Sequence, residues 1–184
     1  MLVAAPIRGV LAAAGGALAP PPSAVESVPG LPGSGLRVLF VDDDASIRLT
    51  TVRMLRRLGA EVHPLSDGDK VEAWLERHGV LPSLAFDGGG EGRAPVRLDL
   101  VLSDVLMPGL DGERLCHRMA ELGLPCAMVA ATGTTTAETL ERLPEAGFAA
   151  VLRKPYGPRQ LKRVLEAVRS GRLQSPAVVA ANMQ

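Results

Sequence analysis

Aromatic side chains are scarce in this chain: 3% of 184 residues, with one tryptophan, one tyrosine and three phenylalanines. With 47% apolar residues, the core must therefore be aliphatic and rich in alanine. Cysteine is nearly absent too, and Cys116 and Cys126 cannot form a disulfide framework for a domain of this size. They read as two reduced, buried thiols. No charge of either sign is in excess, since Lys+Arg and Asp+Glu both total 20, so charge implies no nucleic-acid partner and no anionic membrane. Nor does any apolar run approach the ~20 residues that cross a bilayer. Val10 to Ala19 follows Arg8 and looks like a weak secretory core, but it is short, rich in Ala and Gly, and closed by Pro20-Pro21-Pro22. His63, His78 and His117 show neither metal spacing nor an acid partner, and read as surface or partly buried histidines.

What is present begins near Leu36. Residues 1–34, dominated by Ala, Pro and Gly, read as a flexible leader. From 35 to 171 short apolar runs alternate with segments of helical period. The runs are Leu36 to Val41, Ala60 to Leu65, Leu98 to Ser103, Ala127 to Ala131 and Ala149 to Leu152. Between and after them helices are expected from Ala45 to Leu58, from Ser66-Asp67-Gly68-Asp69 to His78, from Gly112 to Leu122, from Thr135 to Ala146 and from Pro158 to Ser170. Ile47, Leu49, Val52, Leu55 and Leu58 supply the apolar face of the first, with Arg48, Arg53, Arg56 and Arg57 solvated. Asp44 is placed as its cap, and Ser66 with Asp69 and Thr135 with Glu138 read as capping boxes. Residues 79–97 carry no clear element and read as a loop insertion, and 172–184 as a loose tail.

Strands alternating with helices imply right-handed crossovers and a parallel sheet covered on both faces, with ligands bound beyond the carboxyl ends of the strands. Asp42, Asp43, Asp104, Thr132 and Lys154 all fall at that edge, from four different strands. Carboxylates crowded there repel one another by on the order of 4 kcal/mol per pair at an effective dielectric near 20. A hard cation with oxygen ligands and open positions removes that repulsion, which suits Mg²⁺. A carboxylate beside such an ion can attack phosphorus, with Lys154 neutralising charge and the Thr132 hydroxyl donating to a phosphoryl oxygen. Lysine occurs only at Lys70, Lys154 and Lys162, which favours a purpose for the one at the edge.

These residues resemble the response-regulator receiver family. The resemblance rests on Val38-Leu39-Phe40-Val41-Asp42-Asp43-Asp44, on Asp99-Leu100-Val101-Leu102-Ser103-Asp104-Val105-Leu106-Met107-Pro108-Gly109-Leu110-Asp111-Gly112, on Ala131-Thr132-Gly133 and on Leu152-Arg153-Lys154-Pro155-Tyr156. It implies a doubly wound α/β fold, a five-stranded parallel sheet with flavodoxin-like order 2-1-3-4-5. It makes Asp104 the phosphoacceptor, taking phosphate from a histidine kinase or histidine phosphotransfer protein. Asp42, Asp43, Asp104 and the Leu106 carbonyl would hold Mg²⁺; Thr132 and Lys154 would contact the phosphoryl group across a cis Lys154-Pro155 bond. A cytoplasmic signalling module is implied, not an enzyme of metabolism. The stretch after Gly171 is too short for an output domain, so the expected output is a changed protein-binding face of this chain, near the helix after strand four, strand five and the last helix, read by an unidentified downstream protein. Two positions depart from the family. Thr132 lies seven residues after Pro125, where Ala130 competes for the place by count, and Val151 stands where the family often has an aromatic. An apolar Leu106 beside the site, with Thr134 on its other flank, implies slow loss of the phosphoryl group. Two other readings stay open: a haloacid-dehalogenase-type phosphatase with Asp42 as nucleophile in Asp42-Asp43-Asp44-Ala45-Ser46, and a receiver-like interaction module that is never phosphorylated.

Overall fold

The computed structural model describes residues 30–80, 97–133 and 136–173. The expected leader before residue 30, most of the 79–97 insertion, Thr134, Thr135 and the tail from 174 lie outside the described residues. Five strands and five helices alternate: β1 Arg37–Val41, α1 Ala45–Arg57, β2 Glu61–Leu65, α2 Lys70–Arg77, β3 Leu100–Asp104, α3 Gly112–Glu121, β4 Ala127–Thr132, α4 Ala137–Glu145, β5 Ala150–Arg153 and α5 Pro158–Arg169. All pairings are parallel and the sheet order is β2-β1-β3-β4-β5. This is the expected doubly wound sheet.

Why the central strands read as unbroken apolar runs is clear from the two layers they serve. Leu39, Val41, Val101, Met128 and Ala130 pack beneath α2, α3 and α4. Val38, Phe40, Leu100, Leu102 and Val129 pack beneath α1 and α5. Successive side chains alternate between the layers, so a strand inside both must be apolar throughout. Edge strand β2 is buried only at Val62 and carries Glu61 and His63 instead. Cys116 and Cys126 are buried free thiols, both pushed up to about 12 chiefly by burial, and are therefore unreactive.

Element ends shift by a residue or two. β3 starts at Leu100, not Leu98, although the Asp99 backbone already bonds to Arg37 and Ala127. Two caps are corrected. Asp67, not Ser66, accepts from the Lys70 backbone N–H at 3.1 Å, while Asp69 makes no side-chain cap bond. Thr136, not Thr135, caps α4. Leu49 is corrected as well: it is 53% exposed, because two residues along a helix from Ile47 is the far side. His63 does have an acid partner, Glu61 Oε1 at 3.2 Å, and its ring stands 4.9 Å from Trp74, which in turn stacks on His78 at 4.2 Å.

Two expectations follow from this packing. A Cβ on Gly112 would collide with the Asp104 carbonyl oxygen and stand 2.9 Å from Val105 Cα, both backbone atoms. Gly112→Ala should therefore cost about 2–3 kcal/mol in urea unfolding, while Gly133→Ala, facing open space, should stay within about 0.5 kcal/mol. The His63 imidazole is held below its ordinary 6.5 by burial first, with Glu61 pulling it up and His78 and Arg37 pushing it down. The unfolded chain then takes the proton first, so stability is complete above about pH 6.5 and falls as pH drops toward the folded-state value. His63→Phe, which keeps a ring against Trp74, should flatten the change in urea midpoint between about pH 7.5 and about pH 5.5.

Candidate functional site

At the carboxyl ends of β1, β3, β4 and β5 the polar residues deferred by the apolar runs come together. β1 pairs with β3 so that Val41 stands beside Ser103, which brings Asp42 beside Asp104. One carboxylate oxygen from each of Asp42, Asp43 and Asp104 lies within 4.8 Å of the others. Asp42 is fully buried, Asp104 half-buried and Asp43 exposed. From β5, Lys154 reaches both inner acids: its Nζ donates to Asp104 Oδ2 at 2.7 Å and to Asp42 Oδ2 at 2.9 Å. Its backbone N–H donates to the Thr132 carbonyl at 2.8 Å, holding the ends of β4 and β5 in register.

The electrostatics follow from that arrangement. Burial raises the Asp42 pKa, and the charge of Asp104 raises it further, against the opposing pull of Lys154. Burial alone would lower Lys154, but its bonds to Asp104 and Asp42 outweigh it and the ammonium is held above its ordinary range. The other oxygen of Asp104 accepts the Leu106 N–H at 3.3 Å. Leu106 itself is 68% exposed beside it. An all-oxygen donor set with a solvent-facing member fits a hard divalent cation such as Mg²⁺ better than a soft one.

The loops that carry these groups are fixed locally. Asp44 caps α1 by accepting from Ser46 N at 2.7 Å and Ile47 N at 3.0 Å, so its carboxylate is committed away from the cluster. Asp42 Oδ1 accepts the Asp44 N–H at 3.0 Å. Arg48 contributes a contact not anticipated from sequence. Its Nη1 donates to the Asp42 carbonyl at 2.6 Å and to the Asp43 carbonyl at 3.3 Å, bracing the loop that carries both acids, so it is not a solvated residue. Thr132 is buried at the end of β4, one residue beyond the Ala131 that pairs with Asp104. Ala130 pairs with Ser103 inside the sheet, and Thr132 pairs with Arg153 at the end of β4. The Lys154-Pro155 bond is cis. Tyr156 and Phe148 pack in the core, with the Tyr156 hydroxyl 3.0 Å from that of Thr51. Among the described residues no helix is long and apolar enough to cross a membrane.

Known proteins with this arrangement are plentiful. The family model of the response regulator receiver domain matches residues 91–166. The chain is 32% identical over 130 residues to the sensor histidine kinase RcsC of Salmonella typhi, covering 71% of this chain and 12% of the kinase. It is 34% identical over 137 residues to the two-component response regulator ARR14 of Arabidopsis thaliana, covering 73% of this chain and 31% of that protein. It thus spans less than a third of the length of these relatives. Among solved structures, the chemotaxis response regulator CheY4 of Vibrio cholerae superposes with a TM-score of 0.57 at 27% identity, over 72% of this chain and 98% of that one. Sheet order, acid cluster and relatives agree: the chain belongs to the response-regulator receiver domain family of two-component signalling.

Proposed function

We propose that this chain takes a phosphoryl group onto Asp104 from a histidine kinase or histidine phosphotransfer protein. The observation that carries the reading is the meeting of the Asp42, Asp43 and Asp104 carboxylates within 4.8 Å, with the Lys154 ammonium 2.7 Å from Asp104. An oxygen of Asp104 attacks phosphorus, the nitrogen–phosphorus bond of the donor imidazole breaks, and the imidazole nitrogen leaves with the electron pair and takes up a proton. Lys154 holds the acceptor carboxylate in place and neutralises charge on the group as it arrives. Asp42, Asp43, Asp104 and the Leu106 carbonyl would hold Mg²⁺, which supplies charge neutralisation at the phosphoryl oxygens. Thr132, at the end of β4, donates its hydroxyl to the product. The downstream consequence is a changed protein-binding face on α4, β5 and α5, within a cytoplasmic module comprising residues 35–171.

The phosphatase alternative fits the geometry poorly. Asp42, its nucleophile, is fully buried, and Asp44, the second acid of its motif, is occupied in capping α1. A module that is never phosphorylated has no need of three gathered carboxylates, and none of the acids is missing here.

Incubation with Mg²⁺ and a small phosphodonor, followed by intact mass, should add one phosphate to wild type and none to Asp104→Asn. Labelling kept by Asp104→Asn and lost in Asp42→Asn would instead support the phosphatase. Leu106 cannot orient a water toward the phosphoryl group, so the phosphate should persist. Leu106→Gln, which offers a polar group in the same exposed place, should shorten its half-life by about tenfold, less than the ~100-fold at which a positioned general base starts, because an amide orients water without taking its proton. An unchanged decay by intact mass would assign that lifetime elsewhere.

A further inference from the structure

The acids at the carboxyl edge offer a cation only oxygen. A second cluster, which the phosphoryl chemistry does not use, offers nitrogen. His63 stands in the middle of edge strand β2, and His78 caps the C-terminal end of α2. The fold brings their ring centres to 5.7 Å, with the ring planes inclined at 55°. Both residues are half-buried, so solvent still reaches them. Each ring has one nitrogen already committed. His63 Nε2 faces Glu61 Oε1 at 3.2 Å, and His78 Nδ1 faces the Trp74 carbonyl at 2.8 Å. A carboxylate and a carbonyl only accept, so these two nitrogens carry hydrogen and donate. The lone pairs are therefore on His63 Nδ1 and His78 Nε2, one on each ring.

An imidazole whose N–H is tied to a carboxylate or a backbone carbonyl is the usual form of a metal-ligating histidine. The bond fixes the tautomer and makes the other nitrogen more basic. Glu61 is itself anchored, its Oε2 accepting from Arg37 Nε at 2.9 Å. Burial, first, holds the His63 imidazole below its ordinary 6.5, so at neutral pH the ring is in its ligating form. The separation also suits a first-row ion. With ligand nitrogens ~2.0–2.1 Å from the metal and each about 1.1 Å from its ring centre, a tetrahedral ion sets two imidazole centres about 5.2 Å apart. Side-chain rotation can close the difference from 5.7 Å. Both rings pack against Trp74, at 4.9 and 4.2 Å, which limits the freedom they lose on binding. His78 lies at the negative end of the α2 dipole, which favours a cation there. Ring packing by itself accounts for the stacking on Trp74 but not for two histidines each oriented by an acceptor. We propose that His63 and His78 form a two-histidine site for a borderline divalent transition-metal ion of the Zn²⁺ and Ni²⁺ type, which ties α2 to β2. Among the described residues no third imidazole, thiol or carboxylate lies close enough to join them, so water fills the remaining positions.

Isothermal titration of the untagged full chain with Zn²⁺ at neutral pH tests this. An excess of Mg²⁺ occupies the acidic edge, since carboxylate oxygen suits Mg²⁺ and imidazole does not. A single Zn²⁺ should bind per chain. His63→Phe and His78→Phe each keep a ring beside Trp74 and remove one ligand. Each should weaken binding at least about tenfold, the least that even an outer-shell partner contributes. His117→Gln in α3 and Asp43→Asn at the acidic edge should leave it within about twofold, being remote from the pair. Ni²⁺ should bind more tightly than Mn²⁺. In urea, Zn²⁺ should raise the midpoint of the wild type and of neither phenylalanine variant, whose cooperative unfolding without metal shows that they are folded. If one of these variants does not fold, the other decides. Absence of Zn²⁺ binding, binding that survives loss of either histidine, or binding abolished by Asp43→Asn overturns the proposal. Phosphorylation enters none of these readouts, so this site and the role of Asp104 stand or fall separately.

Discussion

One ammonium group shared by two carboxylates is the interaction on which the carboxyl edge of this sheet depends. Asp42 is fully buried, and an unpaired buried charge is among the most costly features a fold can hold. Lys154 meets it at 2.9 Å and meets Asp104 at 2.7 Å, so a residue from the last strand compensates charge on the first and third. β1 and β3 must be neighbours, with the end of β5 brought close across β4, for that single contact to form. Fold and site are therefore one constraint: a sheet wound in any other order would strand the Asp42 charge without its partner.

Around this centre the polypeptide is braced from the backbone outward. Arg48 holds the carbonyls of Asp42 and Asp43, Asp44 closes the start of α1, and the Lys154 N–H is fixed to Thr132. Gly112 lets the start of α3 lie directly against the Asp104 carbonyl. Each acid is thus set by contacts that leave its carboxylate turned to the edge, the kind of support that keeps a reactive group in position before anything binds.

Much of this was legible in the residues. A strand buried on both faces must be apolar until it leaves the sheet, so the first acids after Val41 and Leu102 mark the exits of β1 and β3. Parallel winding then places those exits together. What was not legible depends on choices between near-equivalent neighbours or on contacts without a pattern. Ser66 and Asp67, like Thr135 and Thr136, are adjacent residues that can each cap a helix, and only the local chain path selects one. Side-chain bonds to carbonyls, such as those of Arg48, leave no mark in residue spacing. The pairing of His63 with Glu61 did leave one, because residues two apart on an edge strand share a face. Total charge is silent on a related point: adding up residues discards where they lie, and here α1 and α5 together carry eight cations and one acid.

The single tryptophan of the chain, Trp74 of α2, lies over the edge-strand residue His63 and stacks on the imidazole of His78, one residue past the helix end. Indole emission in this molecule therefore has one origin, in the layer over β2 and not among the gathered acids. Fluorescence of the unlabelled chain is for that reason a gauge of how α2 sits against the edge strand.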